Sequence, residues 1–308
     1  MKISGPVSVH VFKHGDKYIV LWGDIHGDKR KMCQCSNNNK SCILITTFIK
    51  QLQDKYDLFI ESPWYSTNEK YRLIGKKFVE TNVISMMTNT FYDEMYFHGK
   101  HSKQSRIHFT DIRREAKIRP LTNVIEKLIA ILFNNQNVKD TSFITTLKKY
   151  NTTKNIIDFV DELMNDKEHK VRKQLDKLTI IDQKVVMKFH KVMCAELLRT
   201  TKSYDKSHYN LFHVQKVDYR EDLLNVLDNL LLWLSYLKDL YTICRMLYYL
   251  QKTKLVMTYD GNYHTETYLL FFRSYLPQTH LLWSFNENKR CVTLPLNIAH
   301  QISPRTLF

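Results

Sequence analysis

Glycine and proline are scarce in this chain, seven and six residues of 308, roughly 2% each where ordinary proteins carry about 7% and 5%. With Lys, Asn, Ile and Tyr abundant, the bias points to an AT-rich genome such as that of a large DNA virus or a parasite. It also gives each surviving glycine a stronger claim to a backbone role. From Leu121 to Gln251 there is neither glycine nor proline. A secretory start is missing too: "MKISGPVSVHVFKHGDKY" has no basic start followed by an apolar core. The expected location is therefore intracellular, in a host cytoplasm or a virion if the protein is viral. No run is apolar enough to cross a membrane, because "LLNVLDNLLLWLSYLKDLYTICRMLYYL" (223–250) is interrupted by Asp228, Asn229, Lys238, Asp239 and Arg245, whereas a span needs about 20 mostly apolar residues.

Six cysteines in such a chain favour free thiols or a metal over a disulfide framework. Cys33, Cys35 and Cys42 cluster in "CQCSNNNKSC" with ligand-like spacing, but without a CxxC or a visible fourth partner. Cys194, Cys244 and Cys291 sit in apolar surroundings and read as core residues. Acidic residues are outnumbered, 31 against 46, for a net charge of +15. Residues 101–220 hold 24 Lys plus Arg and 14 Asp plus Glu. These charges are dispersed as on solvated helix faces, for example in "DELMNDKEHKVRKQLDK". No zinc-finger, RRM or helix-turn-helix signature accompanies them, which excludes a dedicated nucleic-acid reader and leaves nonspecific polyanion or nucleic-acid binding open.

With 44% hydrophobic and 12% aromatic residues, the chain can bury a large core. Candidate strands are "VSVHVF" (7–12), "KYIVLW" (17–22), "DLFIE" (57–61), "RIHFTD" (106–111), "KLVMTYD" (254–260) and "HLLWSF" (280–285). Several are continuous apolar runs, as suits strands covered on both faces. "SCILITTFIKQLQDKY" (41–56) is predicted helical, joining the second strand to the third as a βαβ unit. Helical periodicity recurs in "LTNVIEKLIAILF", "KNIIDFVDELM", "QKVVMKFHKVMCAELL" and "EDLLNVLDNLLLWLSYLKDLYTICRMLYYLQ". The expected fold is α/β, a central mixed or mostly parallel sheet flanked by helices, with a large all-helical insertion. Residues 1–120 form the first half of the core, 121–251 the insertion and 252–308 the second part of the core.

Polar residues gather where these strands end: His26, Glu61, Asp111 with Arg113, and His264. In open α/β sheets the carboxyl edge is where loops can aim side chains at a common crevice. Gly23 and Gly261 each stand three residues before a histidine and are expected to let the chain turn sharply there. Two imidazoles and a carboxylate make a sufficient ligand set for a divalent Zn, Mn or Fe. Asp24, Asp28 and Asp260 are candidates to add a ligand or orient an imidazole, and Tyr259 and Tyr263 to donate to a substrate. Taken singly, His26 reads as a surface loop histidine, Glu61 as a helix cap, and the arginines of "DIRREAKIRP" as a basic loop.

The set GDIH (23–26), "DLFIE" ending in Glu61, "DIRRE" and GNYH (261–264) resembles the superfamily of TraB, Tiki-type metalloproteases, erythromycin esterases and ChaN-like proteins, marked by an early and a late GxxH motif with a Glu and an Arg between. The resemblance implies a metal or catalytic centre of His26, Glu61 and His264, with Arg113 or Arg114 as the arginine, and the expected activity is metal-dependent hydrolysis of an ester or amide in an unidentified substrate, with Asp24 kept as a candidate further metal ligand from the residues themselves. A catalytically silent relative, a basic binding or virion-associated protein, is the alternative. GDIHG also opens the first metal motif of calcineurin-like phosphoesterases, through Asp24 and His26, but no GDxxD follows and Tyr263 intrudes in the late motif.

Overall fold

The computed structural model describes residues 1–25, 33, 42–63, 83–91, 105–113, 115–134, 141–200, 202–213, 219–287 and 290–304. His26, Asp28, Cys35 and Arg114 lie outside them. Contacts divide the chain into two units, Met1–Asp111 with Arg245–Phe308, and Ile112–Cys244.

The first unit opens with β1 (Lys2–Ser4), β2 (Ser8–His14), β3 (Lys17–Asp24), β4 (Cys42–Leu44), α1 (Ile45–Gln51), β5 (Tyr56–Pro63), α2 (Val83–Thr90) and β6 (Arg106–Asp111). The second holds α3 (Arg119–Asn134), α4 (Thr141–Lys148), α5 (Thr153–Asn165), α6 (Lys170–Leu175), α7 (Ile180–Thr200), α8 (Lys202–His213) and the larger part of α9 (Tyr219–Leu250). The chain then completes the first unit with β7 (Leu255–Gly261), α10 (Asn262–Ser274), β8 (Thr279–Asn286), β9 (Cys291–Thr293) and α11 (Leu296–Ile302).

The fold is α/β. Six strands in the order β6-β5-β7-β3-β2-β8 form a mixed sheet, with β3, β5, β6 and β7 parallel, β2 antiparallel to β3, and β8 antiparallel to β2. A second sheet, β4-β1-β9, is built from three-residue strands. The six longer strands coincide with the apolar runs of the sequence, whereas β1, β4 and β9 do not stand out there. The βαβ unit is looser than expected, because β7 is inserted between β5 and β3. The helix within 41–56 is also shorter: residues 42–44 pair with β1 as a strand, and helix runs only over Ile45–Gln51.

Side chains alternate between the faces of a sheet. Val20, Trp22, Leu58, Ile60, Met257 and Tyr259 share one face and pack with Phe48 and Ile49 of α1 and Met87 of α2. Trp22 meets Phe48 edge-on at 5.7 Å. On the other face Phe59 packs against Tyr249 at the end of α9, and Arg245 lies over its ring at 5.2 Å, which places the last turns of α9 with the sheet. β7 is buried along its whole length, as a central parallel strand covered on both faces should be.

In the second unit α5 starts at Thr152, whose side chain accepts from the Asn155 N–H. It buries Ile156, Val160, Leu163 and Met164 at helical spacing. Among the described residues, no helix is long and apolar enough to cross a membrane.

Candidate functional site

The late strand β7 is central to the sheet and so carries its end to the middle of the carboxyl edge. Its neighbours are β3 on one side, with Asp24 opposite Gly261, and β5 on the other, with Ile60 opposite Tyr259. Residues about 200 apart in sequence are therefore side by side. Glu61 accepts a hydrogen bond from the Gly261 N–H at 2.9 Å through Oε2, and its Oε1 lies 3.4 Å from His264 Nε2. Both side chains are nearly buried, at 7% and 10% exposure.

His264 is not on a loop, as the strand-Gly-x-x-His reading implied. α10 begins at Asn262, so His264 is in its first turn, just beyond Gly261 as N-cap. The first N–H groups of a helix have no partner inside it and carry the positive end of its dipole. The Glu61 carboxylate takes up one such group, which holds it beside the imidazole. Two further hydrogen bonds seat α10: Tyr268 Oη donates to Asp260 at 2.8 Å, and Thr265 Oγ1 donates to the Trp22 carbonyl at 3.4 Å. Asp260 is thus an anchor for α10.

The two glycines answer different needs from the one expected. Positive φ occurs at Gly5 and Gly15 among the described glycines, while Gly261 has φ −56°, so neither motif glycine makes a left-handed turn. Gly23 is required by close approach. A Cβ there would overlap Ser8 Oγ, lie 2.5 Å from Asn262 Oδ1 and 3.2 Å from Thr265 Oγ1. It would break into the 2.6 Å hydrogen bond from Ser8 Oγ to Asn262 Oδ1, which ties β2 to the start of α10. Gly23→Ala is expected to cost about 1–3 kcal/mol by overpacking and to shift the first turn of α10, read as a lowered urea midpoint and altered His264 NMR resonances.

Asp24 goes elsewhere. It follows Trp22 on the α1 face, and its Oδ1 is 3.1 Å from Arg290 Nη1, with both side chains buried. Tyr259, on that face, is fully buried; burial first, then the Asp24 charge, raises its phenol well above the ordinary value, with Arg290 opposing. It stays protonated, and it is Tyr263 that is exposed. Arg290 carries no sequence signal beyond being a basic residue before Cys291 and Val292, so motif reading passes over it. Asp111 ends β6 at the same edge, buried. Arg113 belongs to the second unit, where its carbonyl accepts from Thr122 Oγ1 at 2.7 Å. Among the described residues, the one group of three or more potential ligands is Cys33, Cys42 and Cys291. Glu61 and His264 form a pair, and the expected third ligand, His26, lies outside the described residues.

A second grouping has the composition of a nucleophile set without its geometry. His190 contacts Asp161 Oδ1 through Nε2 and Tyr236 Oη through Nδ1, each at 2.8 Å. Cys194 Sγ is 3.6 Å from Nδ1 and 3.9 Å from Nε2, nearly equidistant from two nitrogens that already have partners. Burial pushes its thiol up to about 12, the wrong direction for a nucleophile. No family model, curated protein or solved structure matches the chain.

Proposed function

We propose that this protein is a metal-dependent hydrolase of the TraB/Tiki-like type, acting on an ester or amide at the carboxyl edge of β5 and β7. The observation that carries the reading is the Glu61–His264 pair, built from two segments about 200 residues apart and held by the start of α10. One carboxylate oxygen is taken up by the Gly261 N–H, which leaves the other beside an imidazole nitrogen. A carboxylate oxygen and an imidazole nitrogen 3.4 Å apart fit neighbouring positions around a Zn, Mn or Fe ion, whose bonds to such ligands are about 2.0–2.2 Å. His26, two residues beyond Asp24 on the adjacent strand, is the third ligand in this reading. Arg113 or Arg114 is the arginine that the resemblance implies.

A metal in such a site supplies Lewis acidity and lowers the pKa of a water. The chain's own contribution is orientation. Gly261 N–H fixes the Glu61 carboxylate, and Tyr268, through Asp260, fixes the helix that bears His264. Glu61 serves there either as a ligand through the oxygen that the backbone does not occupy or, with that oxygen off the metal, as the general base that would take a proton from an attacking water. The calcineurin-like alternative fits less well, because it needs Asp24 as a ligand and Asp24 is paired with Arg290.

The test is metal analysis of the purified protein beside His26→Ala and His264→Ala, together with a panel of ester and amide substrates. The reading expects both variants to lose metal and a Glu61→Gln variant to lose activity by about two orders of magnitude or more. Equal metal content in all three would favour the catalytically silent relative.

A further inference from the structure

The six-stranded sheet has β6 and β8 as its edges. β6 is the covered one, with four of its six residues buried, whereas none of the eight residues of β8 is buried. An edge strand presents unpaired N–H and C=O groups, and proteins guard it with charge, proline, shortness or a bulge. The β8 sequence "THLLWSFN" holds no Lys, Arg, Asp, Glu or Pro, in a chain that is 25% charged. Of those guards a bulge alone is present, at Leu282, which has no opposite residue where Val11 faces Trp283 and Phe12 faces Leu281.

The edge is held from both faces. Leu282, Trp283 and Phe285 pack against the core on the α1 face, and Trp283 Nε1 donates to the Thr293 carbonyl of β9 at 3.0 Å. β9 is fixed in turn, because Cys291, expected from the sequence among the core residues, is disulfide-bonded to Cys33. On the other face Ser284 Oγ lies 2.9 Å from His10 Nδ1, and Leu281 sits beside Phe12. α10 flanks this face, its Phe272 meeting Phe12 at 6.0 Å. Leu281 on the strand and Leu270 and Tyr263 on the helix are exposed. An edge already held in shape loses little freedom on pairing.

The charges around β8 lie at its two ends and have opposite signs. Glu287 follows the strand directly, and Glu266 of α10 accepts from Asn286 Nδ2 at 3.4 Å. At the start of the strand Lys13 pairs beside His280, and Arg273 lies in the last turn of α10, shortly before β8 begins. All four of these charged side chains are exposed. Antiparallel pairing of β8 with the same strand of a second copy sets each acidic end against the other copy's basic end, as a two-fold interface requires. Parallel pairing would set like charges together. Copies of a chain with net charge +15 repel one another in most approaches, and a charge-free strip with matched ends is where that repulsion is least.

We infer that the protein forms a two-fold homodimer through antiparallel pairing of β8, which joins the two sheets into one and covers Leu281, Leu270 and Tyr263. Backbone hydrogen bonds supply the affinity, as in strand addition to an open sheet edge. The end charges fix the direction.

The experiment is sedimentation velocity on the full chain across micromolar concentrations, at low and high salt. A reversible species of twice the 36.9 kDa chain mass is expected, weakened by salt. Glu287→Lys puts a basic residue at each end and should raise the dissociation constant by about tenfold, and adding Lys13→Glu should recover most of that loss. Leu281→Lys puts a lysine on the strand itself, the usual guard of an edge, and should leave a monomer with the parent's circular dichroism spectrum. A parent chain that stays monomeric throughout, which needs no variant to fold, overturns the inference and leaves the edge to an extended segment of another protein. A dimer with the same dissociation constant in Glu287→Lys and Leu281→Lys as in the parent overturns it as well. These residues lie outside the Glu61–His264 pair, so neither outcome touches the hydrolase reading.

Discussion

Asp57→Ala is expected to destabilise the protein by about 3–5 kcal/mol, the usual cost of removing one partner from a buried charge network. Asp57 has no exposed side-chain surface. Arg106 reaches it with two donors, Nε at 2.7 Å and Nη2 at 2.8 Å. His108 Nε2 is 2.7 Å away, and Thr253 Oγ1 donates at 2.8 Å. Burial alone would raise the carboxyl pKa; hydrogen bonds from His108, Arg106 and Thr253 together outweigh it and hold it below the ordinary value. The partners belong to β6 and to the turn between α9 and β7, so one carboxylate ties three pieces of the sheet's amino-terminal end.

Alanine would leave the Arg106 guanidinium without its acceptor and His108, stacked on Phe59 at 4.6 Å, with a buried ring nitrogen and nothing to bond. Urea unfolding should show a lower midpoint at an unchanged slope. Asp158→Ala is the control. Its ion pair with Lys154 is largely exposed on both sides and should be worth under about 1 kcal/mol. Comparable losses in the two variants would sink the assignment of the Asp57 network as a principal tie.

The contrast between Asp57 and Glu61 shows what the sequence could and could not disclose. Both lie in the run "YDLFIE", whose apolar stretch marks β5 without ambiguity, as the other five long strands and the glycine-free helices were marked by theirs. Glu61 stood out because it ends the run. Asp57 did not, because its meaning depends on Arg106 and His108 in β6, and strand order is not written in local periodicity. The three-residue strands were missed for a related reason: period-two alternation cannot be recognised over so short a length, and their stability comes from partners far along the chain. Gly23 was rightly singled out but for the wrong cause. Its backbone is ordinary, and what forbids a side chain is Ser8 of the neighbouring strand together with Asn262, which opens a helix that follows a strand from the other end of the sequence. Arg290 had no motif to betray it, since only burial beside Asp24 distinguishes it from any surface arginine.

Acidification should destabilise the protein in two stages, and the first belongs to histidines. His10 and His108 are each lowered from 6.5 to about 4, in both cases chiefly by burial. His10 lies in the middle of β2 with Nδ1 2.9 Å from Ser284 Oγ, and its Nε2 has no partner among the described residues. Between those two values the unfolded chain binds protons that the folded chain refuses, so stability falls as pH falls through that window. At pH 5 the loss is about 2 kcal/mol for each histidine relative to pH 7. Below it the Asp57 contribution, present above the unfolded carboxyl pKa, is lost as pH drops through the depressed folded value. His10→Leu separates the stages, since leucine binds no proton in either state. Unfolding free energies from urea titrations at pH 7 and pH 5 should then differ by about 2 kcal/mol less than in the parent, with the Asp57 stage unchanged. An identical pH 7 to pH 5 loss in parent and variant would mean that His10 is hydrated in solution, and that the middle of β2 is open to water in a way its burial in the sheet does not allow.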